Sequence, residues 1–390
     1  MADPIDYFVD PATGGAAGPG AADTPFDTVQ NAMDTIARSA ANGDQINVVE
    51  GTDDTPAAVL SFAAYGVPAV DAPLIIRGCA NDPITGLPVA NNGGRGGMDG
   101  GAGGFSIIDN SAAGIDFTHL IDMHCHNTGA DDVVRLRNSS SVIRCEIDTT
   151  TAGWGLTLGG FCTLLETHIH TMTLDAVDIG NYGKILGNML EVESAARSAL
   201  FLSGFGSCAM RNIILVNHLT ARGIVPSHDY LAVSGNSILS TASGTAAGIL
   251  VDAAGHDSLV IDSNLIEGFS GAGGLGIDFG ASTTHPHCYA NNSFFDNETD
   301  EGNRGDLANF EEDNEALTAT PFLKEGAITF ANRLEYFKPT RVGNVKGGAF
   351  PNGSRFDRGA INGPAVVERV IPARVISSTP ARTAFDVVDD

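Results

Sequence analysis

Apolar residues recur along the middle of the chain with a period longer than one helix or strand. Anchors at Leu120, Val142, Leu164, Ile185, Ala209, Val233, Ile261 and Tyr289 are separated by 22, 22, 21, 24, 24, 28 and 28 residues. Five positions after each anchor comes a second apolar residue: Cys125, Ile147, Ile169, Leu190, Ile214, Ile238, Ile266 and Phe294. A third recurs between anchors at Val134, Leu156, Val177, Leu200, Ile224, Ile249 and Ile277. Such a unit is too short for two packed helices and reads as three short strands separated by turns. Stacked units of this kind bury one continuous core.

Three residues after each anchor sits a turn position, reading Met123, Cys145, Thr167, Asn188, Asn212, Asn236, Asn264 and Asn292. An asparagine at one corner of successive coils can bond its amide to the equivalent residue of the next coil. It also tolerates the left-handed conformation of a turn. A leucine-rich repeat would need a leucine signature and a shorter, regular period, and both are missing. The pattern therefore predicts an all-β parallel β-helix.

Three further segments carry a family likeness. "YFVDPATGGAAGPGAADTPFDTVQNAMDTI" (7 to 36), "GDQINVVEGTD" (43 to 53) and "GNVKGGAFPNGSRFDRGAI" (343 to 361) resemble the opening and capping helix, the first coil and the closing segment of the right-handed parallel β-helix superfamily. That superfamily includes pectate lyases, other polysaccharide-active enzymes and phage tailspikes. The resemblance implies a single-stranded right-handed solenoid with an N-terminal capping helix and an irregular C-terminal cap. It says little about activity, because one scaffold hosts many functions. The expected divisions are an N-terminal extended segment and helix at 1–42, coils at 43–300 with a Gly-rich loop at 91–104, a C-terminal cap at 301–361 and a C-terminal arm at 362–390.

Composition narrows the partners. With 21 Lys+Arg against 47 Asp+Glu, the formal charge of −26 repels phosphate and polyuronate backbones, so nucleic acid is not an expected partner. The six cysteines, Cys79, Cys125, Cys145, Cys162, Cys208 and Cys288, show no CxxC spacing, which points to free thiols and away from a cysteine-bound zinc. No apolar run approaches the ~20 residues that span a bilayer, and the N-terminus lacks the pattern of a secretory signal. Membrane insertion is not expected.

The stretch "LLETHIHTM" (164 to 172) carries the most chemistry. On a strand, His168 and His170 flank inward Ile169 and both face solvent. In the repeat register they stack with their neighbours into two columns, His124, Glu146, His168 and His126, Asp148, His170, with successive strands about 4.8 Å apart. A divalent metal held by His124, His126, Glu146 and His168 is one reading, and the only cofactor the sequence implies. Acid–base catalysis by His168, His170 and Asp148 is another. The plainer reading is a cross-strand ladder alternating imidazole with carboxylate.

On another face, Arg135, Thr157, Asp178 and Phe201 follow the third apolar position on successive coils. The resemblance implies that this strand lines a substrate groove. Asp178, with Asp175 upstream, could serve a hydrolase that needs two carboxylates, and the likeness to pectate lyases makes Arg135 a candidate lyase base. A solvated strand face is the plainer reading. Trp154, between two glycines, could stack on a sugar, though such an aromatic also covers small-residue gaps. His285 and His287 flank Pro286 and read as a loop.

Short connections such as "TMTLDA" after His170 leave little chain to wall a deep pocket. Together with the missing export signal, this favours a structural or attachment subunit of a virus particle, a capsid decoration, fibre or tailspike-like protein, located on a virion or outside cells. Other virion or surface-assembly subunits and a glycan are its expected partners. Copies are expected to associate, as a trimer by analogy with tailspikes. The alternative is a polysaccharide lyase or glycoside hydrolase acting on a surface glycan.

Overall fold

A computed structural model describes residues 3–317 except 17, 40, 103–105, 111–114, 130, 150–152, 171–172, 252–257, 281–287, 303–310 and 313. The expected arm at 362–390, most of the expected cap, His285 and His287 lie outside the described residues. Among those described, strands line up in three sheets of 13, 10 and 9, and nearly every pairing is parallel between one coil and the next. This is a parallel β-helix, as the repeat predicts.

The register matches the sequence periods residue for residue. In the first sheet Leu120 pairs with Val142, Val142 with Leu164, Leu164 with Ile185 and so on to Ile261 with Tyr289. All of these side chains are buried in one core with the second and third apolar columns. The same sheet runs three strands further upstream, where Tyr7, Ile46, Ile76 and Leu120 align. Those coils are irregular in length, which hides them from a search for a fixed period. The capping helix, Val29–Thr35, starts where the Thr28 side chain accepts from the Asn31 N–H, and it buries Val29, Ala32 and Met33 against the open end of the core.

Two boundaries differ from expectation. Within the supposed loop at 91–104, Gly96–Asp99 is a strand of the second sheet, paired with Met123 to His126. Its glycines permit this, since a Cβ on Gly96 would stand 2.6 Å from the Val48 carbonyl oxygen and one on Gly97 would run into the Asp53 carboxylate. The coils also continue past residue 300: Thr299–Gly302, Glu311–Glu312 and Glu315–Ala316 extend the three sheets in turn. Glu311 stands at the anchor position, and a charged residue there conceals the coil from hydrophobic pattern alone.

The asparagine ladder forms, with one correction. Each side-chain amide from Asn188 through Asn212, Asn236, Asn264 and Asn292 donates to the next Asn Oδ1 at 2.9 to 3.1 Å, ending on Asn314. The same oxygens accept the preceding asparagine's backbone N–H, and the second amide hydrogen reaches a carbonyl one coil back, as Asn212 does to Ile185. A buried amide whose donors and acceptors are all used costs nothing in desolvation. The left-handed residue is the one before the turn position, whether or not that position is asparagine: Asp122, Arg144, Glu166, Gly187, Arg211, Gly235, Ser263 and Asn291 have φ between 50° and 65°. The left-handed conformation falls on that preceding residue, so the asparagine itself is selected for bonding rather than for conformation.

All six cysteines are free thiols. Among the described residues no helix is long and apolar enough to cross a membrane.

Replacing Asn212 with Ala strands the Asn188 amide and the Ile185 carbonyl in the core, and should cost on the order of 2–4 kcal/mol. Thermal or urea unfolding should show a clear loss for Asn212→Ala and a change within about 0.5 kcal/mol for the exposed Thr241→Ala.

Candidate functional site

Two polar faces stand out, one on the second sheet and one on the third. On the second sheet the predicted columns are present: Glu146 pairs in register with His124 and His168, and Asp148 with His126 and His170. His126 bonds Asp148 through Nδ1, and His124 Nε2 lies 3.5 Å from the other Asp148 oxygen. His170 Nε2 lies 3.3 Å from Glu146 and 3.8 Å from Asp148. Arg95 adds an ion pair to Glu146.

His168 departs from its expected solvent exposure. It is 8% exposed, its Nε2 bonds Glu191 at 2.8 Å, and its ring stacks on His170 with centroids 4.4 Å apart. The ring is covered from both sides because Glu191 continues the column after Asp148 and His170. That residue was legible: it stands six positions after anchor Ile185, as His170 does after Leu164. Arg95 was not, because it belongs to the insert whose register no period reveals.

The electrostatics follow the contacts. The bond to His170 draws the Glu146 carboxyl down to about 2 against the opposing effect of burial, with Arg95 assisting. Asp148 is drawn low although burial opposes it, through its bonds to His124 and His126. His124 is raised, chiefly by Asp148. For His170 burial is the largest influence and works downward, yet Glu146 and the nearby carboxylates carry it upward. The supposed metal set of His124, His126, Glu146 and His168 is not what the structure gathers. Potential ligand atoms of Glu146, His168 and His170 lie within 4.8 Å of one another, while His124 and His126 turn to Asp148.

The third sheet aligns Asp109, Arg135, Thr157, Asp178 and Phe201 on successive coils. Arg135 does not stand ready as a base. Its guanidinium meets Asp132 at 2.7 Å, Asp131 at 2.9 Å and Asp109 at 3.5 Å, and the bond to Asp132 raises its pKa further, the wrong direction for giving up a proton. Asp132 is the residue the sequence reading missed. It also accepts from Thr157 Oγ1 at 2.8 Å and from the Trp154 backbone N–H at 3.0 Å. Its signal was available in "DDVVRL", where it precedes the third apolar position by two.

Trp154 is half-buried at that corner. Its carbonyl accepts from Val133 on one side, and Gly155 beside it donates to Asp175 on the other, so Asp132, Trp154 and Asp175 occupy one corner of three successive coils. Asp175 accepts the Ser198 N–H at 2.6 Å. Asp178 is the exception on this face. Its register neighbours are Thr157 and Phe201, no cation pairs with it among the described residues, and its buried Oδ1 has no hydrogen-bond partner there. Burial raises its pKa to about 6; the charges of Asp175 and Asp132 add to this and Ser203 opposes it.

The stacked coils and these faces define a parallel β-helix protein with a tuned carboxyl on one sheet. No protein-family model matches the chain, and no curated protein matches its sequence significantly. Among solved structures it is similar to XylC in complex with xylose, at 9% identity over 83% of this chain and 88% of that one, with a TM-score of 0.45. It is also similar to the pectate lyase Pel9A, at 12% identity over 93% and 98% of the two chains, with a TM-score of 0.42. A lacto-N-biosidase from Eubacterium ramulus matches at 11% identity over 80% and 67%, with a TM-score of 0.33. At such identities and scores these likenesses decide nothing about the chemistry of this chain.

Asp178 supplies a signed pH test. Its folded pKa near 6 lies above the unfolded value of 3.8, so below about 4 it is protonated in both states and costs nothing. As pH rises from about 4 to 6 the unfolded chain ionises first and stability falls, by on the order of 2–3 kcal/mol in total. Asp178→Asn should remove that loss. Melting temperatures measured from pH 3.5 to 8 should coincide for the two proteins in acid and favour the variant progressively up to about pH 6.

Proposed function

We propose that this chain is a glycan-active β-helix protein that hydrolyses an uncharged glycan on its third sheet. The observation that carries this reading is Asp178, a carboxyl that keeps its proton to about pH 6 with no cation among the described residues, beside Asp109, Asp131, Asp132 and Asp175, which each lie within 4 Å of an arginine. A carboxyl that holds its proton beside a second carboxyl is what glycosidic cleavage requires.

In this mechanism protonated Asp178 delivers its proton to the glycosidic oxygen as the bond to the anomeric carbon breaks. Asp175, three residues upstream, takes a proton from the water that adds to that carbon. Arg135 is a positioning residue: it fixes Asp132, which in turn holds the Trp154 backbone and the Thr157 hydroxyl beside Asp178. Trp154 is the sugar-stacking candidate at the edge of this face.

Hydrolysis is favoured over β-elimination on charge. A lyase must seat a uronate and use a base, but Arg135 is bound by three aspartates and the chain carries a net charge of −26, so an acidic sugar meets repulsion. The particle-subunit reading gains no supporting observation from these faces.

Purified protein incubated with a panel of neutral and uronate glycans should release reducing ends from a neutral member and no unsaturated ends from any. Asp178→Asn should lower the rate about 10²- to 10⁴-fold, and the wild-type rate should fall as pH rises through about 6. Release of unsaturated ends, or activity undiminished in Asp178→Asn, contradicts the assignment.

A further inference from the structure

The second sheet holds a group that glycan hydrolysis on the third does not use. His170 Nε2 and Glu146 Oε1 are 3.3 Å apart, close to the edge of a tetrahedron of donors placed roughly 2.0–2.1 Å from a zinc-type cation. A ligand atom of His168 lies within 4.8 Å of both. The rings of His168 and His170 stack at 4.4 Å and 21°, which holds the two imidazoles side by side on one strand. Glu191 meets the His168 Nε2 at 2.8 Å, so a cation at His168 would take its Nδ1. A carboxylate behind a histidine is the usual support of a metal-bound imidazole, fixing its tautomer and strengthening its donor.

We propose that Glu146, His168 and His170 bind a divalent first-row transition cation of the zinc type, with Glu191 orienting His168. Two imidazoles and one carboxylate match the donor preference of zinc and its neighbours. Calcium and magnesium are disfavoured, since they require mostly oxygen ligands. Three protein donors leave a fourth position for water. The site joins the coil of Glu146 to that of His168 and His170, so a bound cation ties two successive coils directly and reaches the next through the bond between His168 and Glu191. Arg95 pairs with the other Glu146 oxygen, Oε2, which leaves Oε1 as the ligand atom.

The alternative is a ladder of imidazole and carboxylate that needs no cation, and zinc separates the two. Untagged full-length protein, stripped with chelator and titrated with zinc sulfate by calorimetry and by equilibrium dialysis with elemental analysis, should take up one zinc per chain and melt at a higher temperature when loaded. Glu146→Gln and His170→Gln should each weaken binding by at least tenfold, and Glu191→Gln by about 10- to 100-fold. His126→Gln should change it by less than about threefold, because its ring turns to Asp148 outside the triad. Glu146 and His170 are partly exposed, so their variants should fold, which circular dichroism of the metal-free forms verifies. Absence of saturable binding by zinc, cobalt or nickel overturns the proposal, as does zinc uptake that is equal in wild type and in both ligand variants. Glycan hydrolysis is not needed as a readout, so failure here leaves the third-sheet assignment untouched.

Discussion

Every coil is hydrogen-bonded in parallel register to the coil before it, and this fixes which side chains touch. A residue meets its equivalent about 4.8 Å away, above and below, with no freedom to slide, because a shift of one residue would turn the whole apolar column outward. Chemistry on such a surface is therefore written in columns. Inside, columns can be uniform, since like apolar groups pack well on one another. Asparagine is a polar residue that also stacks on itself, because its amide offers a donor to the coil ahead and an acceptor to the coil behind.

Outside, a column of like charges would repel, so charges alternate or are diluted. The second sheet alternates acid and imidazole through Asp99, His126, Asp148, His170 and Glu191. The corner before it alternates Asp122, Arg144 and Glu166, with Arg144 bonded to Asp122 at 2.7 and 2.8 Å. A later corner dispenses with charge, stacking Phe161 on Tyr182 at 5.0 Å and Tyr182 edge-on to Phe205 at 5.5 Å. These aromatics are exposed, yet their faces cover one another.

This constraint also explains what could be read without coordinates. The three apolar columns, the asparagine ladder and the pairing of His124 and His168 with Glu146 were legible, because all follow from a constant offset between coils. The first coil, at 43–53, was legible only through its family resemblance, and the coils between it and Leu120 and the last coil were not. Gly96–Asp99 is short of side chains to count, and the closing coil puts Glu311 where the pattern expects an apolar residue, although Asn314 still caps the ladder. The sites were legible only as columns. That His168 is buried, that Arg135 is consumed by three aspartates and that Asp132 anchors the Trp154 corner all depend on side chains reaching across columns from loops of unequal length.

Against this background Asp178 is the exception that carries meaning. The other acids beside it meet a cation: Asp109, Asp131 and Asp132 share Arg135, and Asp175 lies 3.9 Å from Arg197. Asp178 bonds the Ser203 hydroxyl and its own strand's backbone but has no cation among the described residues; Thr157 stands on one side and Phe201 on the other, and the charges of Asp175 and Asp132 act on it. A lysine or arginine in place of Phe201 would restore the alternation seen on the other faces. The aromatic withholds both solvent and counter-charge, so the carboxyl holds its proton where most surface carboxyls have lost theirs. Such an arrangement lowers stability at neutral pH and contributes nothing to packing that a leucine or threonine would not. A local rule broken at a cost, among neighbours that all obey it, is the physical mark of a group kept for chemistry rather than for fold.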